Sequence, residues 1–204
     1  MPKLDSLIHK NAFTFGCVQP DYNKLSYLKG FSARRNLKGH TYNSSSSYIS
    51  ETAEKLQNKG NWTLWDYYRL GKVMHYLSDS FTYPHNEDFC GTFAEHREHE
   101  AQLHLLYADC LEQYDVESSK DYPENIGEYV AVYHRQYMFS AGDVNTDAEF
   151  ITRAANQVMG ALVQCRTRAS NEKPYEGKMS RAFTLCYTKA NVFLNRLALM
   201  GSAE

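Results

Sequence analysis

Residues 70–104 read LGKVMHYLSDSFTYPHNEDFCGTFAEHREHEAQLH and concentrate the histidines of the chain. About one sixth of the sequence thus holds five of the eight histidines: His75, His85, His96, His99 and His104. Two of them pair with an acid four residues later, His75 with Asp79 and His96 with Glu100, and His85 lies between the pairs. A spacing of four places both side chains on one face of a helix, one turn apart. This order of residues predicts a metal site built on helices.

The apolar residues around this stretch recur at helical spacing. Leu70, Met74 and Leu77 keep the period of a helix, and Val, Ile and Thr never alternate with polar residues over a strand length. We therefore expect an all-α fold, a single-domain multi-helix bundle over residues 1–204. The pattern predicts helices at about 47–59, 61–78, 92–114, 123–140, 146–170 and 180–200.

Three local patterns make sharper predictions. Because proline disfavours helical geometry in the residue before it, Pro20 predicts that Asp21 follows a turn rather than lying inside a helix. The segment Thr146-Asp147-Ala148-Glu149 has the form of a capping box, in which two side chains satisfy free backbone amides at a helix start. Phe93 is predicted to face the core from the helix that follows the loop of residues 80–91.

The bulk properties are those of an ordinary globular protein. Hydrophobic residues make up 43% and charged residues 23% of the 204 residues, and the net charge is −2. This balance gives no global reason to expect a stable nucleic-acid partner. The first residues, MPKLDSLIHKNAF, do not resemble a secretory signal, and no apolar run is long enough to span a bilayer. We expect a cytoplasmic protein from the chain as given, or a secreted one if its N-terminus has been trimmed.

A single histidine–carboxylate pair on a helix is usually a solvated surface pair worth a few tenths of a kcal/mol. Glu95 and His99 show how common the spacing is, since they form a second pair in the same segment. We therefore interpret His99, His104 and His134 as surface or core histidines.

The two pairs taken together with His85 are not explained as solvated surface pairs. His75, Asp79 and His85 lie in an otherwise apolar helix and its following loop, where ionisable groups need a partner. Neutral imidazole and carboxylate are the ligands that zinc prefers, and neighbouring zinc ions suit the hydrolysis of phosphate esters. Asp21 and His40 are the remote candidates to complete such a site.

These segments together resemble one known group, the zinc-dependent phospholipase C and S1/P1-nuclease superfamily. The resemblance is carried by Pro20-Asp21-Tyr22, Gly39-His40-Thr41-Tyr42, Leu70-Gly71-x-x-x-His75-Tyr76-Leu77-x-Asp79, Pro84-His85 and His96-x-x-x-Glu100. It covers most of residues 13–106. The short interval from His85 to the pair His96/Glu100, and the tyrosine after Asp21, are closer to the phospholipase C branch.

The resemblance implies an all-α bundle with a zinc cluster. Asp21, His40, His75 and Asp79 would bind one zinc ion, and His85, His96 and Glu100 would bind a second. Asp79 would bridge from the first zinc to a third, and Asp21 would also be a candidate general base for the attacking water. We expect two zinc ions, with a third left open.

The sequence departs from the family pattern at its N-terminus. The third zinc normally takes a histidine from an N-terminal helix together with the amino-terminal residue, usually tryptophan. Here the chain begins Met1-Pro2, and the sole histidine before Asp21 is His9, which is close to it in sequence. Either a first helix has been lost, or this is a two-zinc or degenerate member.

The expected function is that of a zinc-dependent phosphodiester hydrolase of phospholipase C type, which uses metal-activated water on a phospholipid-type substrate. The expected partner is a phosphodiester, such as a phospholipid head group at a membrane surface. Tyr22 matches one aromatic of a choline-binding box, but Leu37 stands where the second is expected, with Tyr42, Tyr83 and Phe89 as substitutes. The alternatives are a single-strand nuclease of S1/P1 type and a non-catalytic zinc-binding helical protein.

Overall fold

The computed structural model describes residues 7–22, 41–110 and 121–170, and all regular structure in these ranges is helical. The expectation of an all-α fold is therefore confirmed. The elements are α1 (Leu7–Tyr22), α2 (Tyr42–Gln57), α3 (Leu64–Ser80), a short 3₁₀ turn (Tyr83–His85), α4 (Phe93–Cys110), α5 (Ile126–Met138) and α6 (Val144–Ser170). The final helix predicted at about 180–200 lies outside the described residues. None of the described helices is long and apolar enough to cross a membrane.

Helix α3 is the centre of the bundle and packs against α1, α2 and α6. Its apolar side chains Tyr67, Leu70, Met74 and Leu77 are almost completely buried, as their helical spacing predicts. The helix begins after Thr63, whose backbone N–H and hydroxyl both donate to the Asp66 carboxylate at 2.7 Å. This cap determines where α3 starts. The buried apolar face determines how the helix is rotated, and thus where His75 and Asp79 lie near its other end.

Helices α1 and α3 cross at two glycines. A Cβ atom added to Gly16 would lie 2.1 Å from the carbonyl oxygen of Tyr68, and one added to Gly71 would lie 2.1 Å from that of Phe13. Only a residue without a side chain therefore permits this close approach of two helix backbones. The absence of side chains at the crossing is what brings the end of α1 against α3.

The two helices run parallel. The ring of His9 stacks on Tyr67 near the start of both helices, with a centroid distance of 4.3 Å, and Asp21 lies beside His75 towards their ends. Contacts thus advance in the same direction along each helix. The parallel arrangement carries the last turn of α1 to the end of α3 where Asp79 lies.

The prediction that Asp21 follows a turn is wrong. Helix α1 continues through Pro20 to Tyr22, so Asp21 lies in its last turn. Proline inside a helix removes one backbone hydrogen bond, and Pro20 is buried here. Packing of α1 on α3 overrides the local preference of the residues before the proline.

Two further local predictions are also wrong. Helix α6 begins at Val144 and is capped by Asp143, whose carboxylate accepts hydrogen bonds from the backbone amides of Asn145 at 3.0 Å and Thr146 at 3.1 Å. The helix start therefore lies earlier than the predicted capping box, and Asp147 is carried into the interior. Phe93, predicted as a core residue, is 70% exposed.

Candidate metal centre

Three side chains from the 3₁₀ turn and α4 converge closely; we refer to His85, His96 and Glu100 as the triad. Oε1 of Glu100 lies 3.0 Å from Nε2 of His85 and 3.1 Å from Nε2 of His96. The two imidazole Nε2 atoms are 3.2 Å apart. Within the described part of the chain, this is the one group of three or more such ligands whose donor atoms meet closely enough to hold an ion together.

The triad fits a tetrahedral zinc ion. Zinc bonds of about 2.0–2.1 Å to nitrogen and oxygen require donor atoms about 3.3 Å apart in a regular tetrahedron. The three separations in the triad, 3.0, 3.1 and 3.2 Å, form a nearly equilateral triangle of about this size. Such a triangle is one face of a tetrahedron, and three protein ligands leave the fourth position for water or substrate.

A second group joins α1 to α3, and we refer to Asp21, His75 and Asp79 as the Asp–His–Asp cluster. Nε2 of His75 lies 3.2 Å from Oδ2 of Asp79 and 3.5 Å from Oδ1 of Asp21. His75 and Asp79 are buried, whereas the Asp21 side chain is 38% exposed. A hydrogen bond with the backbone of Cys17 also holds the His75 ring, so α1 contacts this histidine at two places.

In both groups the carboxylates favour positive charge beside them, either as a proton on an imidazole or as a bound cation. Burial lowers the pKa of His75, but the carboxylates of Asp79 and Asp21 outweigh that effect and raise the pKa to about 9. Burial would raise the pKa of Glu100, whereas hydrogen bonds from His85 and His96 bring it down to about 2. Negative charge therefore surrounds the imidazoles where a metal ion would sit.

Asp79 links the two groups. Burial lowers the pKa of His85, and the charge of Asp79 is the largest of the effects that raise it again, to about 9. Asp79 thus acts on His85 of the triad as well as on His75 of its own cluster. The charge of Asp79 therefore couples the Asp–His–Asp cluster electrostatically to the triad.

Three of the remaining histidines, His9, His104 and His134, lie in different settings within the described part of the chain. His40 is outside the described residues, so its assignment as a ligand stays a prediction. His9 stacks on Tyr67, and His134 is buried with a pKa lowered to about 4 by that burial, which makes it a neutral core histidine. His104 lies on α4 one turn after Glu100, in the electrostatic reach of Glu100 and Asp21.

Hydrogen bonds hold both ends of the turn that carries His85. On one side, the backbone N–H of Tyr83 donates to Oδ2 of Asp147 at 2.9 Å. On the other side, Oδ1 of Asn86 lies 2.8 Å from Nε2 of His134, while the Asn86 amide donates to the carbonyl of Thr82 at 2.9 Å. His85 therefore projects from a turn that is held at both ends.

Sequence reasoning missed Asp147 and the role of His99. The pattern around Asp147 was assigned to a capping box, and His99 to the surface or core, yet Nε2 of His99 lies 2.6 Å from Oδ2 of Asp147. The available signal was the second pair, Glu95 and His99: Glu95 caps the start of α4 through Thr92, which leaves His99 for another partner.

Aromatic rings border the triad. The ring centroids of Phe89 and Phe93 lie 6.1 and 6.3 Å from that of His96. Of the predicted substitutes for the choline-binding box, Phe89 thus lies beside the triad. The ring of Tyr83 packs edge-on against the ring of Phe89, with a centroid distance of 5.6 Å. Tyr42 instead stacks on the buried His134 at 3.6 Å.

The comparison with known families agrees with the resemblance that the sequence motifs carry. The family model described as zinc dependent phospholipase C matches residues 1–144. The chain belongs to the zinc-dependent phospholipase C family. The matched span includes all seven predicted ligands, and neither a curated protein nor a solved structure gives a significant match.

Proposed function

We propose that this member of the zinc-dependent phospholipase C family is a phosphodiester hydrolase that acts on a phospholipid-type substrate with zinc held by its histidines and acids. The observation that carries the proposal is the nearly equilateral triangle of donor atoms in the triad, with sides of 3.0–3.2 Å. Bound zinc would neutralise phosphoryl oxygens and lower the pKa of a water molecule.

The residues have distinct proposed roles. His85, His96 and Glu100 would hold one zinc ion. The described atoms of the Asp–His–Asp cluster do not meet as closely as those of the triad, so this cluster would need His40, its predicted fourth member, to hold another. The charge of Asp79 acts on histidines of both groups, which makes Asp79 the candidate bridging ligand. Two zinc ions held in this way would bring two positive charges to the oxygens of a phosphate diester.

Asp21 is the proposed general base. Its carboxylate approaches His75 through Oδ1 at 3.5 Å, and its side chain remains 38% exposed. A carboxylate that keeps contact with solvent can accept a proton from a water molecule in the same site. The position of Asp21 at the end of α1 therefore supports a role beyond metal binding.

The site is open to a substrate from solvent. The side chains of His96 and Glu100 are 24% and 38% exposed, whereas His75 is 4% exposed. A phosphodiester would approach over the triad, next to the rings of Phe89 and Phe93. An aromatic ring can contact a choline group by cation–π attraction.

A single-strand nuclease is the second candidate function, and one observation favours it. Phe93 is 70% exposed and lies beside the triad, and stacking of bases on aromatic rings is the usual way to bind single strands. The net charge of −2 and the short interval between His85 and His96 favour the phospholipase candidate.

The first experiment measures metal content and turnover in the full chain. We expect two zinc ions per molecule, or three, and hydrolysis of a chromogenic phosphocholine ester in preference to single-stranded DNA. Turnover of DNA alone would favour the nuclease. Bound zinc with no turnover of either substrate would favour the non-catalytic alternative, and a chain that binds no zinc would refute the proposal.

A variant pair assigns the activity to the triad. Glu100→Gln keeps the size of the side chain but removes the charge that contacts His85 and His96, so we expect loss of zinc and of turnover. Glu98→Gln is the matched control, because Glu98 is exposed on the same helix and contacts Gln102. Equal behaviour of the two variants would exclude the triad as the zinc site.

A further inference from the structure

Asp147 is a buried carboxylate in the first turns of α6, and no surface of it is exposed. Burying an ionised carboxylate is costly unless hydrogen bonds replace the lost water. Here three donors replace it: the backbone N–H of Tyr83 at 2.9 Å, Nε2 of His99 at 2.6 Å and the hydroxyl of Tyr137 at 2.6 Å. Each donor belongs to a different element of the fold.

Two of these three elements carry the triad. Tyr83 begins the 3₁₀ turn that contains His85 two residues later, and His99 directly precedes Glu100 on α4. Both donate to the same oxygen, Oδ2 of Asp147. The third donor, Tyr137, comes from α5, which contains none of the predicted ligands, and it uses Oδ1.

We propose that Asp147 is a positioning residue for the triad, whose carboxylate holds the turn of His85 and the helix of His96 and Glu100 at the separation that zinc requires. The inference rests on the zinc site of the proposed function. Asp147 lies beyond the residues matched by the family model, which end at 144.

The physical argument is one of preorganisation. His85 and Glu100 are on separate elements, and their donor atoms must stay about 3 Å apart for a metal ion to bind without a cost of rearrangement. A single oxygen shared by Tyr83 and His99 ties those two elements at one point. Loss of an outer contact made directly to a metal ligand typically weakens metal binding by about 10- to 100-fold. Asp147 contacts neighbours of the ligands rather than the ligands themselves, so we expect an effect at the lower end of that range.

The test compares single contacts of Asp147 in the full chain, by titration of zinc against a competing chelator. His99→Leu removes the contact with α4, and we expect about 10-fold weaker zinc binding. Tyr137→Phe is the matched control: it also removes one hydrogen bond from Asp147, so thermal stability should fall, but zinc affinity should stay within about twofold. Equal zinc affinity in both variants would show a structural role only and would overturn the inference.

A third variant separates positioning from direct binding. His99→Gln can still donate an amide N–H to Asp147, although it is a poor zinc ligand, so we expect zinc affinity close to that of the wild type. A loss as large as that in His99→Leu would mean that His99 binds zinc itself, which would overturn the positioning role.

Changes at Asp147 itself test geometry against charge. In Asp147→Asn the amide oxygen can accept from Tyr83 and His99 while the amide nitrogen donates to the Tyr137 hydroxyl, so zinc binding should be kept. Asp147→Ala should lose it; if that variant does not fold, the His99 and Tyr137 variants decide. A wild-type chain that binds no zinc would overturn the proposed function and this inference together, whereas unchanged zinc affinity in His99→Leu would overturn this inference alone.

Discussion

Gly71→Ala tests whether the crossing of α1 and α3 depends on the absence of a side chain. The new Cβ would lie 2.1 Å from the Phe13 carbonyl oxygen and 2.8 Å from the Cys17 backbone nitrogen. Ordinary contacts of this kind begin at about 3.4 Å, so the helices must move apart by roughly 1 Å. Both contact atoms are backbone atoms, so no rotation of a side chain relieves the clash.

Two effects of opposite sign determine the stability of this variant. Alanine is favoured over glycine in a helix interior by about 1 kcal/mol. Overpacking of a closely packed contact costs about 1–3 kcal/mol, and separation of the helices also exposes buried neighbours such as Phe13 and Cys17. We expect the second effect to exceed the first, which leaves a net destabilisation of up to about 2 kcal/mol.

The assay is chemical denaturation of the full chain with and without zinc. Ser47→Ala, at an exposed position of α2, is the control for helix propensity alone and should be neutral or slightly stabilising. Because separation of the helices also moves Asp21 away from His75, zinc should stabilise Gly71→Ala less than the wild type. A Gly71→Ala protein as stable as the wild type or more so, with full zinc stabilisation, would refute the crossing argument.

Three further predictions concern charge and backbone. The metal-free protein should lose up to about 3 kcal/mol of stability through His75 as pH rises from 6.5 through 9, because folding raises the pKa of His75 from 6.5 to about 9 and the protonated form stabilises the fold only below that range. Urea denaturation in the presence of a chelator measures this loss. Constant stability over this pH range would contradict the proposed interaction of His75 with Asp79 and Asp21. The raised pKa of His85, about 9, also predicts that zinc binding at pH 7 releases protons, which calorimetry in buffers of different ionisation enthalpy detects; zinc uptake without proton release would count against this histidine as a ligand. Gly142→Ala should destabilise the protein by about 1 kcal/mol, because Gly142 has φ +138° at the turn before the Asp143 cap; thermal unfolding of this variant should therefore begin earlier, and an unchanged midpoint would show that the turn adapts.

The sequence predicted the parts of the fold that depend on local periodicity. The face of α2 with Ile49, Ala53 and Leu56 is buried, and so is the face of α6 with Ile151 and Val158. These positions follow from the 3.6-residue period, which is a property of each segment by itself. The zinc-dependent phospholipase C family was likewise identified from the spacing of residues within short motifs.

The errors concern features set by packing between segments. Phe93 keeps the helical period of the core residues of α4, but it lies at the start of that helix and is exposed, with no core residue of the described ranges over it. Asp21 lies in a helix because α1 is held against α3 by the two glycines, a contact between segments about 50 residues apart in sequence. No local pattern contains that information.

Asp147 shows the same limit for polar residues. An acid three residues into a helix usually faces water, and its sequence neighbours matched a capping box. Its burial depends on donors from three other elements, which only the folded chain brings together. The assignments of metal ligands, including His40, remain predictions of the sequence motifs.

The two halves of the site differ in how much chain must be closed to form them. His85 and Glu100 are 15 residues apart, whereas Asp21 and His75 are 54 apart, from 75 − 21. For a flexible chain the entropy of loop closure grows with the logarithm of length, which makes the longer closure about 1 kcal/mol more costly. The triad thus needs the smaller loop closure. We expect it to bind the first zinc ion during folding, before the helix that carries Asp21 has packed against α3.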